Sequence, residues 1–186
     1  SIMRTTTLPS MLEILTRNYN FRNKEVKLYE LGRTYHLGGK DGLAIEKKYL
    51  TLGTYGAKVN FFTVKGLVEA IMKDLRAESV RFEACTDNPS YHPGRCAKVY
   101  AGETYLGVFG QIHPLVAANY GVDTELYCAE LSLEKLLNAC GPDPIYTPLP
   151  KFPAVTRDIA VVCDKAIPVA KLIDCISKAG GKYLKG

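Results

Sequence analysis

The stretch Lys151-Phe152-Pro153-Ala154-Val155-Thr156-Arg157-Asp158-Ile159-Ala160-Val161-Val162 decides how this chain is organised. A proline-fixed turn leads into an apolar run that is typical of a β-strand. The pattern then predicts a helix from Pro168 to about Lys178, ended by Gly180-Gly181, and a second strand starting at Tyr183-Leu184. Because a strand, a helix and the start of a strand cannot cover both faces of a sheet, we expect an incomplete domain within a larger polypeptide.

Proline marks where that incomplete domain is joined to the rest of the chain. Five of the ten prolines lie between positions 142 and 153. Such a run is stiff and extended, and it can join neither a helix nor a central strand. It predicts a linker over residues 141–153, between a main domain at 1–140 and an incomplete domain at 154–186.

The first 140 residues alternate between helical and strand periodicity. Helical spacing predicts a helix after Pro9, a long helix at 61–76 and short helices at 114–120 and 133–139. In the long helix, the helical spacing places Phe62 in the apolar stripe and Phe61 one position beside it. Strand patterns occur at 26–31, 49–55, 80–85, 97–101, 105–112 and 126–131, with a Gly- and charge-rich loop from 32 to 47. Hairpin-linked strands with inserted helices indicate an α+β fold with a mainly antiparallel sheet.

Composition and charge restrict the possible functions. Apolar residues make up 47% of the chain and charged residues 23%, as in an ordinary globular protein, and no apolar run is long enough to cross a bilayer. The six cysteines never form Cys-x-x-Cys pairs, which disfavours a zinc ribbon and favours reduced thiols in the cytosol. Residues 1–150 carry 17 Lys+Arg against 16 Asp+Glu, whereas residues 151–186 carry 7 against 3. The basic end suits an anionic partner such as RNA, or it is a solvated lysine face.

Six segments spread along the chain carry a family resemblance. They are Met3-Arg4-Thr5, Leu28-Tyr29-Glu30-Leu31-Gly32-Arg33, Phe61-Phe62-Thr63-Val64-Lys65-Gly66, His92-Pro93-Gly94-Arg95, Gly110-Gln111-Ile112-His113-Pro114, and Phe152-Pro153 with Arg157-Asp158. In this order they resemble the C-terminal part of the β subunit of bacterial phenylalanyl-tRNA synthetase. The resemblance implies a catalytic-like module with the sheet of class II aminoacyl-tRNA synthetases at 1–140. It also implies that residues 154–186 begin a ferredoxin-like anticodon-binding domain.

The resemblance further implies partners and cofactors. In that family two α and two β subunits form a tetramer; the α subunit binds ATP and phenylalanine, and the β subunit contributes to assembly and tRNA contacts. We therefore expect a cytoplasmic protein, not associated with a membrane, whose partners are the α subunit and tRNA(Phe). ATP and Mg²⁺ would serve the whole enzyme, with no cofactor or metal bound by this fragment.

Three positions argue against a nucleotide site in this module. Adenylate formation in class II enzymes needs a Gly-rich strand that a ligand can approach, followed by an arginine whose plane stacks on the base. Glu130 and Ser132 stand where those glycines would be, and Lys135 stands where the arginine would be. Glu130 adds bulk and negative charge, and Lys135 lacks a planar group. We expect no ATP binding and no catalytic residue here.

Other polar residues have structural and functional interpretations. Arg33 follows the strand that resembles the second class II motif, where it would hold a phosphate or pair with an acid such as Glu30 or Glu46. His92, Cys96, His113 and Cys85 lack the short spacing of metal ligands, and no nucleophile signature joins Cys96 or Cys128 to His113. Pro93-Gly94 predicts a turn, and His113 a buried hydrogen-bonding group at a helix start. The alternative is a subunit contact, for which the candidates are Phe61, His92, Arg95 and His113.

The basic end supplies the candidates for tRNA contact. Arg157 has the greatest weight because a guanidinium fork suits phosphate, although a local ion pair with Asp158 is the plain alternative. Only Phe152 and Tyr183 are present to stack on bases, so discrimination of anticodons is not expected. The full set is Lys151, Arg157, Lys171, Lys178, Lys182 and Lys185.

The sequence thus predicts a part of a synthetase β subunit that serves α-subunit assembly and tRNA positioning without an active site of its own. Two other functions stay open. A stand-alone class II-like adenylate-forming enzyme would bind ATP, and an autonomous RNA-binding module would bind tRNA with a measurable preference.

Overall fold

A computed structural model describes residues 2–39, 42–146, 148, 151–153 and 155–184. The chain divides into two compact units, Ser1–Pro144 and Ile145–Gly186. Among the described residues, no helix combines the length and the apolar character that crossing a bilayer requires.

One six-stranded sheet forms the centre of the first unit. Its strand order is β1-β2-β6-β5-β4-β3, and every neighbouring pair is antiparallel. Because β6 lies between β2 and β5, both of its edges are hydrogen-bonded, and most of its side chains are buried. The predicted α+β fold with a mainly antiparallel sheet is confirmed. The strands are β1 (Val26–His36), β2 (Ile45–Tyr55), β3 (Val80–Ala84), β4 (Tyr91–Ala101), β5 (Thr104–Ile112) and β6 (Tyr127–Ser132).

Helices cover both faces of this sheet. The core on one face contains four buried side chains of α1 (Leu8–Asn20), spaced three or four residues apart as an amphipathic helix requires. The core on the other face contains α2 (Phe61–Asp74) and α4 (Leu133–Asn138), while α3 (Pro114–Asn119) belongs to the α1 side. A reciprocal pair of hydrogen bonds between Asn60 and Thr63 caps the start of α2.

Two predicted connections turn out to be strand. Of the loop expected over 32–47, residues 32–36 and 45–47 are strand, because residues 32–36 pair with residues 45–49 in a long hairpin. The turn expected at Pro93-Gly94 lies inside β4 as a bulge. Tyr91 pairs with Ile112 and Cys96 with Gly110, so residues 92–95 stand opposite Gln111 alone. Proline has no N–H to offer a sheet, which explains why the ladder is interrupted here.

The second unit contains α5 (Val169–Gly180) followed by a 3-10 turn (Gly181–Tyr183). The predicted helix is confirmed, including its end at Gly181, whose φ of 59° suits glycine. The strands expected at 159–163 and 183–184 are not formed in the described part of this unit. A strand is held by hydrogen bonds to a neighbouring strand, and none is present there. The ferredoxin-like topology therefore stays a prediction.

Two Gly→Ala substitutions test the packing of the sheet. Gly107 has a φ of 159°, and a Cβ added there would collide with the carbonyl oxygen of Glu130 on β6. Gly66 lies on α2 with nothing within 4 Å of such a Cβ. We expect Gly107→Ala to lower the free energy of unfolding by roughly 2–4 kcal/mol through overpacking and strain. Gly66→Ala should raise it by about 0.5–1 kcal/mol. Urea unfolding followed by circular dichroism measures both; equal effects would contradict the packing at Gly107.

Candidate functional site

The junction between β6 and α4 brings three of the predicted positions together. Glu130 is half-buried on β6, Ser132 is the N-cap of α4 but makes no capping hydrogen bond with its side chain, and Lys135 is exposed one turn later. A cleft of about 320 Å³ opens beside them, lined also by residues of β2, β5 and the N-terminal segment. This cleft is the candidate site.

A short N-terminal segment, Arg4–Thr7, crosses the sheet next to Glu130; we call it the strap. Oε1 of Glu130 accepts hydrogen bonds from the Thr6 hydroxyl at 2.6 Å, the Thr7 backbone N–H at 2.9 Å and the Thr7 hydroxyl at 2.7 Å. The Thr51 hydroxyl lies 2.5 Å from that of Thr7. Because Thr7 gives its one hydroxyl hydrogen to the carboxylate, Thr51 is the donor in this contact.

Arg4 attaches the other end of the strap to β1. Its guanidinium donates to Glu30 Oε1 at 2.7 Å, to the Arg33 carbonyl at 2.8 Å and to the Ser10 hydroxyl at 2.8 Å. Gly32 leaves the space that the guanidinium occupies, since a Cβ there would lie 2.7 Å from it. In other sites, such a glycine lets a ligand approach the backbone. Here it lets a side chain of the same chain approach instead.

The strap is bound to three strands along one row of the sheet. Glu30 stands opposite Thr51, and Thr51 stands opposite Glu130. Opposite residues of neighbouring strands share a face, so one line of polar side chains runs across β1, β2 and β6. Sequence reasoning missed the strap. The available signal was a charged residue within the predicted strand at 126–131, since a partly buried carboxylate needs donors.

The two cations considered for a nucleotide contact, Lys135 and Arg33, have partners within the fold. Lys135 donates to the Tyr105 carbonyl at 2.9 Å, and its ammonium lies 5.5 Å from the centre of the Tyr105 ring. Burial raises the pKa of Tyr105 to about 12. Arg33 pairs with Glu46 at 2.9 Å, so the ion-pair interpretation of Arg33 is the one the structure supports.

A polar network surrounds Arg95 at the bulge of β4. Arg95 Nη1 donates to Gln111 at 2.8 Å and to Glu125 at 2.7 Å, and the Tyr127 hydroxyl donates to Glu125 at 2.7 Å. The hydrogen bonds from Tyr127 and Arg95 lower the pKa of Glu125. Burial, together with the neighbouring Glu125, raises the pKa of Tyr127 to about 12. Arg95 is therefore held in place within its own unit.

The histidines have local structural partners. Nδ1 of His92 accepts the Gly94 backbone N–H at 3.0 Å. His113 is half-buried and caps α3, where its Nδ1 accepts the Leu115 N–H at 3.2 Å. Among the described residues, no group of three or more His, Cys, Asp or Glu side chains could hold a metal ion.

The two phenylalanines at the start of α2 have the opposite placement to the one predicted. Phe61 stacks on Phe109 with 5.1 Å between ring centres and packs against the core, whereas Phe62 is 74% exposed. The assignment of Phe62 to the core is wrong. The buried residues of α2 are Val64, Val68 and Met72. Phe61 is three residues before Val64 and therefore lies on the same face of the helix, whereas Phe62 does not, so the buried stripe is narrower than the predicted one. Phe62 is thus the better exposed of the two.

The basic residues predicted to contact tRNA lie in the second unit. Lys151, Arg157, Lys171 and Lys178 are exposed, and no ion pair joins Arg157 to Asp158. Arg157 instead donates to the Thr156 carbonyl at 3.4 Å. Lys185 and the side chain of Lys182 lie outside the described residues.

Removing the Glu130 carboxylate tests the strap. In Glu130→Ala the donors of Thr6 and Thr7 lose their acceptor while partly buried, so we expect the free energy of unfolding to fall by about 2–4 kcal/mol. Glu103→Ala is the matched control, because Glu103 is 98% exposed and its ion pair with Arg81 is long, at 3.5 Å. This variant should change the free energy of unfolding by less than about 0.5 kcal/mol. Urea unfolding measures both. A Glu130→Ala variant as stable as the control would contradict the role of the strap.

The raised pKa of Tyr127 predicts a loss of stability at high pH. In the unfolded chain this phenol ionises near 10, whereas in the fold it stays protonated until about 12. Its contribution is therefore complete below pH 10 and is lost as the pH rises to about 12. In Tyr127→Phe the decline in thermal midpoint over this range should be shallower than in Tyr29→Phe, which alters an exposed tyrosine. Equal slopes in the two variants would refute the assignment.

Comparisons with known proteins agree with the family resemblance of the sequence. A family model described as the phenylalanyl tRNA synthetase beta chain CLM domain matches residues 1–133. Phenylalanine–tRNA ligase beta subunits from Clostridium acetobutylicum and Clostridium tetani are 40% and 38% identical over the whole of this chain. The chain spans 23% of the length of each of these relatives.

Solved structures show the same fold in a more distant protein. Two structures of pyrrolysyl-tRNA synthetase from Desulfitobacterium hafniense give TM-scores of 0.56 and 0.58 at 15% and 14% identity. Both alignments cover 72% of this chain and 48% of the other. The predicted class II synthetase-like sheet is thereby confirmed. With a family model matched over most of its length, the chain belongs to the phenylalanyl-tRNA synthetase beta chain family.

Proposed function

We propose that this chain is a part of the β subunit of a phenylalanine–tRNA ligase, which attaches phenylalanine to tRNA(Phe) using ATP. Within that enzyme it serves subunit assembly and tRNA positioning and carries no active site of its own. Family membership and the names of the relatives support the first statement. The geometry of the candidate site supports the second.

The main support for the absence of an active site is that the strap occupies the carboxylate of Glu130 with its hydrogen bonds. A nucleotide on this sheet would need close access to the backbone of β6 and a positive environment for its phosphates. Here the carboxylate of Glu130 stands at the cleft, and Thr6 and Thr7 are bonded to it over the sheet. Lys135 is used by the Tyr105 carbonyl. The residues present therefore do not fit ATP, and we assign ATP and Mg²⁺ to the whole enzyme.

The proposed division of the chain follows from this. Residues 1–140 form a catalytic-like core, 141–153 a linker, and 154–186 the beginning of an anticodon-binding domain. The partners are the α subunit, in an α2β2 tetramer in the cytoplasm, and tRNA(Phe). His92, Arg95 and His113 remain the candidate subunit contacts. The exposed Phe62 takes the place of Phe61, which packs against the core. The exposed cations of the second unit remain the candidates for tRNA.

An exchange assay separates this function from a stand-alone adenylate-forming enzyme. With ATP, Mg²⁺ and phenylalanine, the isolated 186-residue chain should show no phenylalanine-dependent exchange between ATP and pyrophosphate above a protein-free blank. A complete phenylalanine–tRNA ligase is the positive control. Exchange that remains with the purified chain and depends on phenylalanine would overturn the proposal.

A further inference from the structure

A compact basic and aromatic segment at the end of α1 has no role in the function proposed above. It reads Arg17-Asn18-Tyr19-Asn20-Phe21-Arg22-Asn23-Lys24, with three cations, two aromatic residues, three asparagines and no acid. It covers the last helical turn and the connection to β1 in the first unit. We call it the α1 turn.

Hydrogen bonds fix the backbone of the α1 turn. The Asn23 N–H donates to the Asn18 carbonyl at 3.1 Å, and the Arg22 N–H donates to the Tyr19 carbonyl at 2.9 Å, the pair of bonds that closes many helices. The Asn23 side chain donates to that of Asn18 at 2.8 Å, and the Tyr55 hydroxyl donates to the Asn23 carbonyl at 2.9 Å. The backbone of the turn is therefore held in one conformation before any partner arrives.

Two residues of the α1 turn are unfavourable for the isolated fold. Arg22 has a φ of 61°, a left-handed conformation in which helices usually end with glycine because a Cβ is strained there. Phe21 is 75% exposed, so an aromatic ring is held in water. Stability alone would favour a glycine and a polar residue at these two positions.

The cations of the α1 turn are free of acidic partners. Arg17, Arg22 and Lys24 are exposed, and in the described part of the chain none of them forms an ion pair. The nearest acids along the chain are Glu13, one helical turn before Arg17, and Glu25, which pairs with Lys27 at 3.2 Å. With no ion pair to either acid, the cations leave a net positive charge on this surface, which is strongest at Arg22 and Lys24, away from Glu13.

Two recesses lie beside the exposed side chains. One, of about 400 Å³, is lined by Arg17, Asn20 and Phe21 together with Thr16 and the acid Glu13. The other, of about 450 Å³, is lined by Tyr19, Arg22 and Lys24 among others, and no acid lines it. Each therefore combines an aromatic ring with a cation. This is the combination with which proteins hold single-stranded nucleic acid: cations track the phosphates and aromatic rings stack on unpaired bases.

We propose that the α1 turn binds a single-stranded segment of RNA, with Arg17, Arg22 and Lys24 on phosphates and Phe21 stacked on a base. An acidic protein surface would use the cations but would leave Phe21 without a stacking partner. Duplex RNA would likewise engage only the cations, since its bases are not available for stacking. The proposal uses no residue of the second unit and does not rest on the tRNA contacts proposed there.

Arg22→Gly is the decisive variant because it separates binding from stability. Glycine relieves the strain at φ 61°, so the thermal midpoint should stay the same or rise. Binding is measured by fluorescence anisotropy with the 186-residue chain and a labelled single-stranded RNA of mixed sequence, about twelve nucleotides long. The variant should bind more weakly, and the slope of log affinity against log salt should fall by about one.

Phe21→Ala tests the stacking contact. It should weaken binding of the single strand by about tenfold and leave binding of duplex RNA of equal length unchanged. Tyr29→Ala is the matched control, since Tyr29 is an aromatic residue 74% exposed on β1, and it should have no effect. Equal losses for single strand and duplex, or for Phe21→Ala and Tyr29→Ala, would overturn the proposal.

Variants of the second unit keep this proposal separate from the one above. The second-unit variant combines Arg157→Ala, Lys171→Ala and Lys178→Ala in one protein. If it abolishes RNA binding while the single variants Arg22→Gly and Phe21→Ala bind like the unaltered chain, the α1 turn is not an RNA site. The tRNA role of the second unit would then stand. If the α1 turn variants lose affinity and the second-unit variants do not, the inference about the α1 turn holds by itself.

Discussion

The carboxylate of Glu130 holds three donors of the strap against the sheet, and the arrangement of the first unit depends on this contact. One oxygen accepts from the hydroxyl of Thr6 and from both the N–H and the hydroxyl of Thr7. Thr7 and Thr51 are completely buried beneath it. A partly buried carboxylate is costly without donors, and buried hydroxyls are costly without partners, so each group satisfies the other. The strap leads directly into α1, which covers the same face of the sheet.

The same residue links stability to function. In a nucleotide-binding sheet, small residues leave the backbone open to a ligand. Here a charged side chain on β6 binds the chain's own N-terminal segment, and Gly32 makes room for Arg4 rather than for a ligand. The fold is retained because its two apolar cores lie on either side of the sheet and do not depend on a ligand. This explains how a synthetase-like sheet persists in a module to which we assign no chemistry.

The proposed interaction surfaces include residues of both units. The Arg95 network fixes its side chains within the fold. By contrast, the three cations of the α1 turn form no ion pair with any residue that the structure describes, and Phe21 is exposed. The second unit exposes most of the apolar face of α5, with no buried residue on that helix. Polar groups that are already satisfied have little to gain from a new partner, whereas unpaired cations and exposed rings have more.

The sequence by itself determined the family, the α+β class and the helices, because these depend on local periodicity, on capping residues and on motifs read in order. It also indicated that Glu130, Ser132 and Lys135 are poor substitutes for a nucleotide motif. Only the tertiary structure decided what Glu130 does, since its donors lie more than 120 residues away along the chain. Likewise, helical periodicity could not decide between Phe61 and Phe62, because that choice depends on where α2 meets Phe109. The strands expected in the second unit show the same limit: a strand pattern is local, but a strand exists only when another strand supplies its hydrogen bonds.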